Sequence, residues 1–206
     1  MIINGQVGAV SKSTDGSQPM IRQGNQNDLI SSNLHGFYYE QTYRGKVFTS
    51  STGAVSLPTS LNTTYTGLVV ANPIGSGVNL TMISASFALN VVPTAAAVLS
   101  IATGFGTAAL SGTTAADVTK NLLLGSAVGS GIGYKAATLP VAPTLWKFIA
   151  SLGTAATTAW QILPGGYYDF NGQLVIPPGG YVLFNASAAQ TATQFFLEMT
   201  WEENAI

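Results

Sequence analysis

The final run of the chain, "TQFFLEMTWEE" (193–203), alternates strictly between two sets of side chains over nine residues. Successive side chains on a β-strand point to opposite faces, so this period of two predicts a half-buried strand. One face is apolar and carries Phe195, Leu197, Met199 and Trp201. The opposite face carries Gln194, Phe196, Glu198, Thr200 and Glu202. We therefore expect Trp201 to lie in the core of a β-sheet protein.

Other strand patterns occur throughout residues 45–206. The run "VNLTMISASFALNVV" (78–92) changes parity between Met82 and Ile83, which predicts one long strand with a bulge or bend. Short β-branched or aromatic runs bounded by turn residues predict further strands, as in "GKVFTSS", "GLVVANP", "AAAVLSIATG", "SGIGYKAAT" and "TLWKFIASLG". We expect eight to ten strands in all. One short helix is predicted at "TTAADVTKNLLLG" (113–125), from its Thr-Thr start, early Asp and closing Gly.

The stretch "LPGGYYDFNGQLVIPPGGYVLF" (163–184) contains the pattern P-G-G-Y-x-x-F-N twice. Pro-Gly-Gly suits a tight reversal, and Asn171-Gly172 is a strong hairpin signal. The pattern predicts that the two units separate successive strands of one sheet. Tyr167 and Tyr168 are adjacent on a predicted strand, so they cannot both face the core. One of them is a candidate for a contact surface.

The first 43 residues differ in composition from the rest of the 206-residue chain. They are rich in Ser, Asn, Gln and Gly and show no sustained period, which predicts an extended arm. Residues 44–206 are enough for one all-β domain with a substantial core. The end of the arm is unusually aromatic for a solvated segment, so we expect it to dock on a partner. Its aromatic residues are Phe37, Tyr38, Tyr39 and Tyr43.

Charged residues make up only 7% of the chain, and its net charge is −1. An ordinary soluble domain has about 25% charged residues. The chain therefore lacks the basic surface that nucleic acid requires, and its low charge favours association with copies of itself or with another protein. The alternative is that Ser, Thr, Asn and Gln supply the surface polarity.

Targeting and membrane signals are weak. The start, "MIINGQVGAVSKSTDG", lacks the pattern of a secretory signal, which predicts synthesis in the cytoplasm and then retention there or exit within an assembly. The segment 87–110 is apolar and long enough to span a bilayer. Its Asn90, Pro93 and glycines favour a pair of buried strands with a turn at "VVPTA" instead. We expect no membrane partner.

The residue types needed for catalysis are scarce. The chain has no cysteine and one histidine, His35, so a thiolate site, a multi-histidine metal site and a catalytic triad are all poorly supported. The glycine-rich "GSAVGSGIGYK" (125–135) lacks the Ser or Thr and the helix of a phosphate loop, and predicts a turn or bulge. We predict no catalytic, cofactor or metal-binding residue.

Acidic and aromatic residues leave two alternatives open. Glu198 and Glu202 share a strand face and could serve glycoside hydrolysis in a cleft, although exposed edge charges are the simpler interpretation of the C-terminal acids, including Glu203. Asp169 is expected to be a turn residue. The three tryptophans and the Tyr-rich turns could form a carbohydrate platform, but the alternation places Trp201 in the core. The tryptophans are Trp146, Trp160 and Trp201.

The C-terminal third resembles a known family. The order "ILPGGYYDFNGQLVIPPGGYVLFNAS…TQFFLEMTWEENAI" is similar to the end of jelly-roll virion proteins of tailed bacteriophages, including small proteins that decorate or cement the head and related tail or fibre-tip modules. Similar endings occur in trimeric jelly rolls of the tumour-necrosis-factor type. The matching features are the small-residue turn, the "VIPPGGYV" strand entry and the closing "W-E-E". The resemblance implies an antiparallel two-sheet jelly roll with an N-terminal arm and carries no catalytic motif.

These observations favour a non-enzymatic structural virion protein without a cofactor. We expect a capsid decoration protein that forms trimers and contacts the major capsid protein or another virion protein. We expect its assembly contacts to include Phe37, Tyr38, Tyr39, Tyr43, Tyr167 and Tyr168. The alternative is a receptor- or carbohydrate-binding jelly-roll module of a phage tail or fibre. An exposed aromatic groove with polar groups beside it would favour that alternative.

Overall fold

The computed structural model describes residues 36–91, 93, 95–153, 165–188 and 194–206. Within these residues the chain forms twelve β-strands and one short helix. The strands make two antiparallel six-stranded sheets that pack on each other, which confirms the predicted all-β sandwich. The strand number exceeds the expected eight to ten, because short edge strands extend both sheets.

One sheet, called the front sheet here, contains the first and the last of the twelve strands. Its strands are β1 (Val47–Val55), β3 (Val78–Leu89), β6 (Val118–Asn121), β9 (Gly165–Asp169), β10 (Val175–Ile176) and β12 (Phe195–Ala205). The spatial order is β10-β3-β12-β1-β6, and β9 also pairs with β3.

The opposite sheet, called the back sheet here, has a fully buried strand near its centre. Its strands are β2 (Thr64–Ala71), β4 (Ala97–Phe105), β5 (Ser111–Ala115), β7 (Ile132–Thr138), β8 (Thr144–Leu152) and β11 (Gly180–Ala186). The spatial order is β5-β7-β2-β11-β4-β8, and every residue of β11 is buried.

The connectivity is that of a jelly roll with an insertion. Strands β5, β6 and β7 all lie between β4 and β8 in the chain. Without them, the front sheet is β9/β10-β3-β12-β1 and the back sheet is β2-β11-β4-β8. In both sheets, strands from the end of the chain lie between strands from its beginning, which is the interleaving of two Greek keys. The inserted strands extend the β1 edge of one sheet and the β2 edge of the other.

The pairing of β3 with β12 organises the core. Thr200 pairs with Ser84, but the next residue, Trp201, pairs with Met82, so Ile83 is the extra residue of a bulge. This confirms the predicted change of parity in β3. Trp201 is fully buried, as its strand pattern predicted, and stacks on Phe48 with ring centroids 6.1 Å apart.

The predicted helix at 113–125 is wrong. This segment contains the end of β5 and the whole of β6, followed by a loop. Residues Val118–Asn121 pair with β1 through Phe48–Ser51. The capping signals were local, and tertiary pairing with a free sheet edge overrides so short a helical preference.

The interpretation of the two P-G-G-Y units as separators of strands in one sheet is also wrong. Asn171 and Gly172 do take positive φ values, 48° and 70°. However, β9 and β10 on either side of them do not pair with each other. Both pair antiparallel with β3, so they run in line along one edge. The second unit, around Gly179 with φ 89°, then carries the chain into the back sheet.

The expected arm is described only from residue 36 onward. Within that part, Tyr39–Tyr43 form α1 rather than an extended segment. The chain divides into two units after Glu40, and the described strands all belong to the second. In the apolar segment 87–110, β3 ends and β4 begins, as predicted. Among the described residues, no helix is long and apolar enough to cross a membrane.

Candidate interaction surfaces

Glu203 is a buried carboxylate held by the glycine-rich loop between β6 and β7. Its oxygens accept hydrogen bonds from the backbone N–H groups of Ser130 at 3.0 Å and Gly131 at 2.8 Å. The indole N–H of Trp201 donates to the same carboxylate at 3.3 Å. A Cβ on Gly129 would collide with this carboxylate, so the loop requires glycine there. The expectation that Glu203 is an exposed edge charge is therefore wrong.

The glycine-rich segment thus binds an anion, but the anion belongs to the protein itself. Exposed backbone N–H groups in a glycine-rich loop can form an anion-binding concavity. Here two of them satisfy Glu203, and the loop leads into strand β7 rather than into a helix. This agrees with the prediction of a turn and leaves these donors unavailable to a phosphate.

A second acid is neutralised at the surface. Asp117 accepts hydrogen bonds from the Lys135 ammonium group and from the backbone N–H of Gly53. These donors favour the charged form, so the pKa of Asp117 lies below its usual value. Within the described parts of the chain, no group of three or more His, Cys, Asp or Glu side chains could hold a metal ion.

The aromatic residues predicted as assembly contacts are mostly exposed at the end of the arm. Phe37 is 90% exposed and packs edge-on against Tyr38, with ring centroids 4.9 Å apart. Tyr39 and Tyr43 are also exposed, and both lie in α1. Their role as assembly contacts stays a prediction.

Tyr167 and Tyr168 point to opposite sides of β9, as the alternation required. Tyr167 is 68% exposed. Tyr168 packs edge-on against Phe170 and Trp146, at centroid distances of 5.0 and 6.4 Å. Lys147 Nζ lies 5.7 Å from the centre of the Tyr168 ring. Tyr168 therefore helps to close the sandwich, and Tyr167 is the residue available for a contact.

The two described tryptophans do not provide an exposed platform for a carbohydrate. Trp201 is in the core, and Trp146 is partly buried and stacks on Phe170 at 5.6 Å. Trp160 and His35 lie outside the described residues. Asp169 ends β9 and accepts a hydrogen bond from the backbone N–H of Asn171 at 2.8 Å, which confirms its role in a turn.

A pocket of about 250 Å³ opens at one end of the back sheet. Apolar atoms make most of its wall, and none of the described residues that line it is Asp, Glu, Lys or Arg. The lining residues are Ala71, Asn72, Pro73, Ile74, Ala108, Ala109, Leu110, Ile132, Tyr134, Gly179, Gly180 and Tyr181. The Tyr181 hydroxyl donates to the carbonyl of Val141 at 2.6 Å, and burial raises its pKa to about 12. Its polar group is thus already satisfied, whereas the buried Oδ1 of Asn72 has no hydrogen-bond partner among the described residues and adds one acceptor to a mostly apolar lining.

Ile74 and Ile132 line this pocket, and Phe105 lies beside Gly179 in its wall. We call these three exposed apolar side chains the apolar rim: Ile74, Phe105 and Ile132. They are 51%, 59% and 38% exposed. Ile74 and Phe105 meet over Gly179, since a Cβ placed there would lie 3.5 Å from one and 3.6 Å from the other. A cluster of this kind beside an apolar pocket is typical of a protein-binding surface.

The apolar rim was not predicted from the sequence. A usable signal was present, because Ile74 and Phe105 are large apolar residues in "NPIG" and "GFG", where turns normally carry small or polar residues. Their convergence could not be predicted, since it depends on the ends of β2, β4, β7 and β11 meeting at one end of the back sheet.

Comparison with known proteins gives no family. No protein-family model matches the chain, and no curated protein is detectably similar to it.

Proposed function

We propose that this chain is a non-enzymatic structural virion protein that decorates a phage head, forms trimers and docks through its apolar rim. The observation that carries this proposal is the apolar rim itself, with its adjoining pocket that no Asp, Glu, Lys or Arg lines. Buried apolar anchors in well-packed pockets dominate the energy of most protein interfaces. A jelly roll also has open sheet edges that association can protect.

The charge distribution supports assembly rather than chemistry. Glu203 is satisfied by backbone N–H groups, and Asp117 is paired with Lys135. With 7% charged residues in the chain, little electrostatic repulsion opposes the approach of copies. The aromatic end of the arm, Phe37–Tyr43, would add contacts to a neighbouring subunit or to the major capsid protein. The protein would be made in the host cytoplasm and then reside in the virion.

The solution mass of the full chain tests this proposal. We expect light scattering to give the mass of three chains at micromolar concentration. Phe105→Ser and Ile74→Ser should shift the protein toward smaller species, because each removes an exposed apolar side chain from the rim. Phe148→Ser is the matched control, since Phe148 is 67% exposed on β8 of the same sheet but is not part of the apolar rim. A monodisperse monomer for the unmodified chain would refute the assembly proposal.

A further inference from the structure

A row of side chains crosses the outer face of the front sheet. The strand register places Tyr167, Ser86, Glu198 and Ser51 directly beside one another on β9, β3, β12 and β1. Neighbouring strands are about 4.8 Å apart, so the row is roughly 14 Å long. Phe196 lies two residues before Glu198 and therefore on the same face. It is 42% exposed, whereas the apolar residues on either side of it in sequence are buried.

This row borders a depression of about 300 Å³, which we call the front groove. Phe196 and Glu198 line it from the central strand β12, and the small side chains of Ser51, Ser86 and Ala88 line it from the strands on either side. Tyr167 rises from the neighbouring strand at the other end of the row and is 68% exposed. The volume lies at the lower end of the range of about 300–1,000 Å³ for small-molecule sites.

The Glu198 carboxylate in this groove is held in position. Thr49 Oγ1 lies 3.1 Å from Glu198 Oε1 and can donate its proton to it. Thr200 donates to Thr49 Oγ1 at 3.3 Å. Thr49 and Thr200 are only 5% and 8% exposed, so the hydroxyl chain beneath the carboxylate is buried. A charged acceptor that is oriented by a buried partner is suited to binding hydrogen-bond donors.

From this arrangement, we propose that the front groove binds a neutral oligosaccharide. A sugar ring has an apolar C–H face that can pack on Phe196 or Tyr167. It also has hydroxyl donors that a carboxylate and Ser hydroxyls can accept. A few placed polar groups beside aromatic surface are what orient a small ligand. Glu198 would repel an anionic sugar or a phosphate, so the ligand is neutral.

The position of the groove within the sheet disfavours an extended peptide. A peptide that adds as a strand needs the unpaired backbone groups of a sheet edge. The groove instead crosses β3, β12 and β1, whose backbones are paired on both sides. A peptide could use only side-chain contacts here, and a basic one would be attracted by Glu198. That ligand is the competing outcome of the test.

Calorimetric titration of the full chain with maltohexaose, cellohexaose and chitohexaose tests the proposal, with a Lys-rich peptide as the competing probe. We expect at least one of the sugars to bind. Tyr167→Ala and Phe196→Ala should each weaken that binding about tenfold or more, as for the loss of an aromatic anchor. Glu198→Gln should weaken it by a similar factor. The matched control is Phe148→Ala, an equally exposed aromatic on the back sheet, which should bind as the unmodified chain does.

Circular dichroism of each variant separates lost binding from lost folding. The proposal is overturned if none of the three sugars binds at millimolar concentration, or if only the Lys-rich peptide binds. It is also overturned if Phe148→Ala weakens binding as much as Phe196→Ala does, or if Glu198→Gln has no effect in a folded protein. The sugar titration does not depend on trimer formation, so it can fail while the assembly proposal stands.

Discussion

The apolar rim is built from loops and strand ends, whereas the front groove is built from the middle of paired strands. Ile74 lies between β2 and β3, and Phe105 and Ile132 lie at the ends of β4 and β7. In contrast, Ser86, Glu198 and Ser51 are fixed by the ladders of β3, β12 and β1. The difference shows that in this jelly roll the strand register positions the polar row, whereas the apolar rim depends on several strand ends and one loop meeting at one end of the back sheet.

The two regions also differ in how a glutamate of β12 supports them. Glu203 is buried and fixes the loop that precedes Ile132, so it acts on the rim through the backbone. Glu198 is exposed in the groove and would act on a ligand directly. Perturbing one region should therefore leave the other unchanged, unless the shared core is damaged.

The largest expected effect comes from the core that both regions share. Trp201→Ala should lower the free energy of unfolding by about 3–5 kcal/mol, as large-to-small core substitutions do. It removes the stacking on Phe48 and one donor to Glu203. Denaturant melts measure this change. A loss below about 1 kcal/mol would mean that Trp201 is not a core residue, and the strand assignment of β12 would fail.

A smaller effect on the free energy of unfolding should distinguish Glu203 from Glu198. Glu203→Gln replaces one acceptor oxygen with an amide donor that faces the N–H groups of Ser130 and Gly131. The resulting unsatisfied buried group should cost about 1–3 kcal/mol of unfolding free energy. Glu198→Gln is the matched control on the same strand and should cost less than about 0.5 kcal/mol, because its carboxylate is exposed.

Hydrogen exchange of backbone amides shows where the Glu203→Gln damage falls. We expect faster exchange in residues 122–131 and at the start of β7, with unchanged protection in the centre of β3. Equal loss of protection in both places would contradict the independence of the rim and the groove.

The last effect is a pH dependence above about pH 10 that belongs to the rim side of the molecule. Burial raises the pKa of Tyr181 to about 12, whereas an unfolded tyrosine titrates near about 10. Because the folded pKa is the higher one, this stabilisation is complete below about pH 10 and is lost as the pH rises toward 12. Burial raises the pKa of Tyr65 in the same direction.

Unfolding free energies measured from pH 9 to 12 test this difference between the folded and unfolded pKa values. We expect the stability to begin to fall at about pH 10. In Tyr181→Phe the free energy of unfolding should fall less steeply with pH than in the unmodified chain. Part of the fall should remain, because Tyr65 is still present. Tyr167→Phe is the control, since Tyr167 is exposed beside the groove. If Tyr167→Phe reduces the pH dependence of the unfolding free energy as much as Tyr181→Phe does, the buried Tyr181 hydroxyl is not its source.

The sequence determined the strands whose side chains alternate strongly. The burial of Trp201 and the bulge at Ile83 followed from a period of two and from its interruption. The same period predicted that Tyr167 and Tyr168 face opposite sides, but not which of them faces outward. These features could be predicted because each depends on neighbouring residues in one strand. The same local reasoning placed Phe196 and Glu198 on the outer face of β12.

Tertiary structure alone decided which strands became neighbours, and therefore where the candidate sites lie. Val118–Asn121 carried helix signals, but the free edge of β1 made it a strand. Asn171-Gly172 had the conformation of a hairpin turn, yet β9 and β10 both paired with β3. The carboxylate of Glu203 depended on a loop more than 70 residues away in sequence, and the apolar rim depended on the ends of β2, β4, β7 and β11 meeting. The physical reason is that a strand makes all of its ladder hydrogen bonds with other strands, and a local sequence pattern does not specify which strands those are.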